Sequence, residues 1–215
     1  EEFYLIAADI KDFKQVNDMF GYDRGDEILI LFAKAITGCF ADSPDTVFCR
    51  VNSDRFAFCV KKSDFSESRL VYSVNNLSIT LDGSLYKFNA HFGIYRSQDG
   101  NMIVPDMYDC ARIALKVIRE DYNRVVNYYD SQMHQKAIAE KSYVLGFEKA
   151  LMEEQFKMYL QPQVTPEGTV VGAEALVRWI HPEYGLVPPG EFIPVFEKDG
   201  IIHKLDRYMW EQAAR

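Results

Sequence analysis

The seven residues "FYLIAAD" (3–9) limit the fold more than any other stretch of this chain. An unbroken apolar run ending in an acid reads as a buried strand that delivers Asp9 to its C-terminal end. A strand buried on both faces needs covering elements, and the next residues supply them. Phe13, Val16 and Phe20 recur at helical spacing, with Gly21 as terminator. Ile28, Leu31, Phe32, Ala35 and Ile36 then form the apolar stripe of a second helix after "DRGD". "VFCRV" and "FAFCV" read as two strands of a hairpin joined by four polar residues, Asn52 to Arg55. A helix near 66–77, a strand near 85–95, a helix near 106–120 and the strand "RVVNYYD" follow. In the last helix Met107, Cys110, Ala111, Ala114, Leu115 and Ile118 share one face. The order predicts one sheet covered by helices.

At 215 residues the chain has room for one or two domains at roughly 150 residues each. Hydrophobic residues at 48% and aromatics at 14% exclude a disordered chain. A net charge of -8 argues against a long nucleic-acid partner, whose binding depends on basic side chains displacing counterions. A small nucleotide needs only a local Lys or Arg and stays open. Cys39, Cys49, Cys59 and Cys110 lack metal-ligand spacing and are expected as buried thiols in a reducing, cytoplasmic setting. The longest apolar run, "ILILFA", is too short to span a bilayer. The chain opens in mid-pattern, so a fragment of a longer, membrane-attached parent is compatible with it.

The character changes at Ser131. "SQMHQKAIAEKSYVLGFEKALMEEQ" has no Pro and carries Ala137, Val144, Phe147 and Leu151, which predicts a connecting helix over 131–155. "FKMYLQPQV" and "TVVGAEALVRW" read as two more strands, followed by "PPGEFIPVFEKDG" and a helix from Ile202.

Asp9 and Asp54 would meet at one sheet edge if their strands are neighbours, beside the start of the helix near Asp12. Two carboxylates suit Mg²⁺ or Mn²⁺, which take oxygen ligands. Lys14 and the first-turn amides could hold phosphate. Asn17 and Asp26 offer the amide and carboxylate that a guanine edge requires. The bland alternatives are that Asp12 is an N-cap, Asp26 favours its helix dipole and Asn17 is solvated. Farther on, period two puts Glu174, Leu176 and Arg178 on one strand face and Ala175, Val177 and Trp179 on the other. If the first set points inward, its charges need partners, either each other or a metal and a phosphate.

"DIKDFKQVNDMFGYDRGDEIL" followed by "RVNSDRFAF" resembles the GGDEF domain of diguanylate cyclases, whose pattern is roughly D-I-D-x-F-K-x-I-N-D-x-x-G-H-x-x-G-D-x-x-L and then R-x-G-G-D-E-F. The resemblance implies an α/β palm-like domain of the nucleotidyl-cyclase type, with a ferredoxin-like core, over 1–130, and a GTP site. It implies Asp9 and Asp54 as metal ligands, Asn17 and Asp26 at guanine, and Lys14 and Arg119 near phosphate. The departures are at the tip. Asn52 and Ser53 stand at the two glycines, and Arg55 stands at the signature Glu. Lys11 replaces the second Asp, Tyr22 the His, and the product-inhibition motif R-x-x-D is absent at "SPDT". Cyclic di-GMP synthesis is therefore expected to be lost and Mg²⁺ or Mn²⁺ binding weak or absent, with GTP binding retained. The competing reading is a scaffold that binds no nucleotide, and the least favoured is an active diguanylate cyclase.

"YLQPQV…GAEALVRWIHPEYGLVPPGEFIPVFEKDG" resembles the start of an EAL phosphodiesterase domain, a TIM-type barrel. It implies Glu174 as a metal ligand and Gln161 and Arg178 as contacts to cyclic di-GMP. Residues 156–215 would supply only the first strands and helices of the barrel, without its later metal ligands, so no phosphodiesterase activity is expected of this chain. A homodimer through the connecting helix or the exposed barrel edge is the expected protein partnership.

Overall fold

The computed structural model describes residues 2–75, 77–81, 83–97, 102–118 and 124–214. The chain divides into two compact units, Glu1–His134 and Gln135–Arg215.

The first unit runs β1 (Phe3–Ile10), α1 (Phe13–Phe20), α2 (Tyr22–Cys39), β2 (Val47–Asn52), β3 (Arg55–Lys61), α3 (Glu67–Asn75), β4 (Ser78–Leu81), β5 (Ser84–Lys87), β6 (Ala90–Arg96), α4 (Val104–Ile118) and β7 (Val126–Tyr128). Its main sheet has the order β2-β3-β1-β6-β7. "FYLIAAD" is the central strand, antiparallel to both β3 and β6. Alternation divides its side chains between two cores. Ile6, Ala8 and Ile10 pack with Phe56, Phe58, Phe92 and the apolar stripes of α1, α2 and α3. Leu5 and Ala7 pack with Tyr95 against Met107, Cys110, Ala111 and Leu115 of α4. The helix α4 also makes the crossover between the parallel strands β6 and β7. Gly93 permits this layer to close. A Cβ there would lie 2.0 Å from the Ala111 carbonyl and 2.4 Å from the Leu115 nitrogen.

The single strand expected near 85–95 is two elements. Residues before Phe88 form the small β4–β5 hairpin, and only Ala90–Arg96 joins the main sheet. All four cysteines are free thiols, but Cys49 is exposed and Cys59 half-buried, so burial holds for Cys39 and Cys110 alone. Among the described residues no helix is long and apolar enough to cross a membrane.

A further helix, α5 (Ser131–Met152), crosses the division between the units. It buries Tyr143, Phe147 and Ala150, an i, i+4, i+7 stripe. The second unit continues with β8 (Phe156–Val164), β9 (Val170–His181), β10 (Gly185–Val187), α6 (Pro189–Lys198) and α7 (Ile202–Ala213). Its sheet, β10-β9-β8, packs Phe156, Trp179 and Val187 on Phe147, Phe192, Phe196 and Leu205. Trp179 is fully buried, and its indole N–H donates to the Gln155 side-chain carbonyl (3.0 Å). The faces of β9 are therefore assigned by Trp179 and not by the charges. Val177, Trp179 and His181 face the helices. Glu174, exposed, and Arg178, half-buried, share the other face, because the helices of this unit cover only the opposite side; in a TIM-type barrel, whose helices lie outside, that uncovered face is the inner one.

Candidate functional site

The end of β1 collects the first unit's chemistry. Asp9 is 1% exposed and lies directly opposite Arg55 of β3 on one side and His91 of β6 on the other. Directly opposed side chains on adjacent strands are about 5 Å apart at Cβ and share one face. That face is the one α4 covers, since Ala7, Cys59 and Tyr95 follow in the same alternation. His91 Nδ1 approaches Asp9 Oδ1 to 3.6 Å. Burial pushes the His91 pKa down, the Lys11 ammonium acts in the same direction, and Asp12 opposes them. Nothing in the sequence marks His91, because a lone His inside "NAHFGIY" looks like any core residue. Only the register places it beside Asp9.

The hairpin tip is tighter than four loop residues. Pairing continues through Asn52 opposite Arg55, after a bulge between Arg50 and Asn52, and leaves Ser53 and Asp54 as a two-residue turn. Ser53 adopts a φ of 44°, a left-handed conformation that glycine takes freely and a side chain resists. Arg50 Nε donates to the Ser53 carbonyl at 2.7 Å and holds the turn from behind. Asp54 is half-buried at the tip.

Asp12 makes no side-chain capping bond to α1 and has a left-handed φ of 56°. Asp12 thus occupies the N-cap position, as the bland alternative has it, but caps only through its backbone carbonyl, which accepts from Gln15 N–H (2.9 Å). Lys14 is exposed in the first turn. Asn17, one turn on, turns its side-chain carbonyl into the α1–α2 junction, where the atom is buried without a hydrogen bond. The junction is open to it because residue 25 is glycine: a Cβ at Gly25 would sit 1.9 Å from Asn17 Oδ1. Asp26, the next residue, is exposed at the rim of a cleft of about 420 Å³ floored by Phe48, Phe56 and Phe58 and walled by Leu29 and Ala33. Asn17 packs on Gly25, the residue before Asp26 in α2, and Asp9 and Arg55 are paired at another point on the sheet end. Arg119 lies outside the described residues.

The donor set fits a divalent cation poorly. Such ions need several oxygen ligands, and Asp9 has an imidazole and a guanidinium as its immediate cross-strand neighbours. Among the described residues no three His, Cys, Asp or Glu side chains are grouped to hold a metal.

In the second unit Gln161 and Glu174 are direct partners across β8 and β9, and Lys157 faces Arg178 two pairs away. Arg178 lies 6.0 Å from the Tyr159 ring centre and donates to the Val177 carbonyl (2.8 Å). All three expected residues, Gln161, Glu174 and Arg178, occupy the face away from the helices.

Comparison with known proteins agrees with this division. The family model described as the diguanylate cyclase GGDEF domain matches residues 1–124, and the EAL domain model matches residues 146–215. Over 218 residues the chain is 27% identical to the bifunctional diguanylate cyclase/cyclic di-GMP phosphodiesterase MucR of Pseudomonas aeruginosa, covering 99% of this chain and 32% of MucR. It is 29% identical over 211 residues to the cyclic di-GMP phosphodiesterase PdeR of Escherichia coli, covering 95% and 31%. The chain thus spans about a third of the length of these relatives. The GGDEF domain of YfiN from Pseudomonas aeruginosa superposes with a TM-score of 0.56 at 20% identity, over 63% of this chain and 81% of that one. The GGDEF–EAL portion of Vibrio cholerae LapD superposes with a TM-score of 0.60 at 13% identity, over 98% and 50%. The sheet order, the hairpin at the end of β1 and these matches together show that the chain belongs to the GGDEF family and continues into the opening of an EAL domain.

Proposed function

We propose that the first unit is a non-catalytic GGDEF domain that binds a guanine nucleotide and regulates an EAL phosphodiesterase within a protein of cyclic di-GMP signalling. The observation that carries the nucleotide half is the α1–α2 junction. Asn17 is packed into the space that Gly25 leaves, and Asp26, the next residue of α2, lines an apolar cleft. An amide and a carboxylate complement the acceptor and the paired donors of a guanine edge, and adenine presents the wrong set.

The loss of catalysis follows from charge. Joining two guanylates through divalent cations needs acidic groups around the reacting phosphate. Here a guanidinium lies opposite Asp9. A unit charge at 4 Å contributes about 4 kcal/mol at an effective dielectric near 20, less where water screens it, and its sign here opposes a metal ion. The tip's conformation agrees, since Ser53 places a side chain where close approach of backbone to phosphate favours glycine.

Calorimetric titration of the chain with GTP and with ATP tests the reading. GTP is expected to bind at least tenfold more tightly, about 1.4 kcal/mol, and Asp26→Ala to abolish the difference. Equal affinities, or none for either nucleotide, would replace this reading with a scaffold that acts through its surfaces. The side chains on the hairpin tip favour that second reading.

A further inference from the structure

The strands β1, β3 and β6 bring an unusual set of charges to one place. Asp9, Arg55 and His91 lie side by side across three strands on the face that α4 covers, and Lys11 comes just after the end of β1, its backbone N–H bonded to the Asn89 carbonyl (2.8 Å). Lys11 is near enough to His91 for its charge to be felt there. The sheet end therefore holds two permanent cations, Arg55 opposite the buried Asp9 and Lys11 near His91, with Asp12 and Asp54 as the other carboxylates close by. The two cations stand at positions where the GGDEF pattern carries acids, so each substitution moves the local balance by two charges, four in total. The start of α1 adds to this. Its N-terminus is next to Lys11 in the chain, and the Asp12 side chain leaves the first-turn amides uncapped.

An acidic site needs a divalent cation between its carboxylates and a triphosphate. Here the cations are already covalently present. We infer that the phosphate end of this site takes a nucleoside triphosphate without a divalent metal, Arg55 and Lys11 supplying the positive charge the metal would otherwise bring. The inference rests on the proposed guanine-nucleotide site and specifies its regulation: the domain reports nucleotide concentration and is indifferent to Mg²⁺. Arg55 suits the role because a guanidinium presents a planar fork of donors matched to phosphate oxygens and keeps its charge at every physiological pH.

The test is calorimetry of the full 215-residue chain with GTP in Mg²⁺ and in EDTA, alongside Mn²⁺ titration of the chain alone followed by electron paramagnetic resonance. Affinity for GTP should change by less than about tenfold between the two conditions, and Mn²⁺ should show no protein-bound signal. Arg55→Glu should create a metal requirement, with GTP bound at least about tenfold more weakly in EDTA than in Mg²⁺. Arg55→Gln should weaken binding in both conditions without creating that requirement. Thermal unfolding shows whether each variant is folded, and the wild-type comparison needs neither. Binding of GTP by the wild-type chain only when Mg²⁺ is present overturns the inference and leaves the guanine site standing. Absence of binding in both conditions overturns the guanine site and the inference with it.

Discussion

The two units treat their sheets differently. In the first, helices cover both faces of the five-stranded sheet, and the charged residues at its end, Asp9 and His91, are buried within it. In the second, helices cover one face of a three-stranded sheet, and Gln161 and Glu174 lie open on the other. A charge buried between strands has its chemistry set by its neighbours, because water cannot screen it. Asp9 answers to Arg55 and His91. Glu174 lies exposed to water.

The largest expected effect breaks the second unit's covered face. Trp179→Ala empties a site among Phe156, Phe192 and Phe196 and should cost about 3–5 kcal/mol in denaturant unfolding. Tyr159→Ala, on the open face of the same sheet, should change stability by no more than about 0.5 kcal/mol. Equal costs would mean that the open face is packed after all.

In the first unit, Gly93→Ala drives a Cβ into the α4 backbone and should destabilise by about 1–3 kcal/mol in the same assay. Gly25→Ala behaves differently, because its Cβ meets side chains and no backbone: the end of Asn17 and, at 3.2 Å, the Phe13 ring. Stability should hold or rise by up to about 1 kcal/mol from the better helix former, while GTP affinity falls by about tenfold as Asn17 is displaced. Unchanged affinity would detach Asn17 from the nucleotide site. A small effect is expected at the tip: Ser53→Gly relieves a left-handed φ and should stabilise by up to about 1 kcal/mol, without restoring synthesis while Arg55 remains.

Much of this was legible in the sequence because period and burial coincide. "FYLIAAD" marks a strand buried on both faces, and the α2 and α4 stripes mark the helices that cover it. The β4–β5 hairpin was not legible, since its short strands read as one segment with β6. His91 was hidden for another reason: its neighbour Asp9 is 82 positions away, and only strand register joins them. The orientation of β9 is not fixed by its own residues, because alternation gives two faces without saying which one the helices cover. Trp179 decides it through its packing on α6.

The central claim is that this hairpin, with Arg55 facing Asp9, performs no nucleotide condensation. Prolonged incubation of the purified chain with GTP and Mn²⁺, with products resolved by chromatography and mass spectrometry, tests it directly. Unchanged GTP is the predicted result. Accumulation of a linear or cyclic guanylate dimer above a control lacking protein would contradict the account.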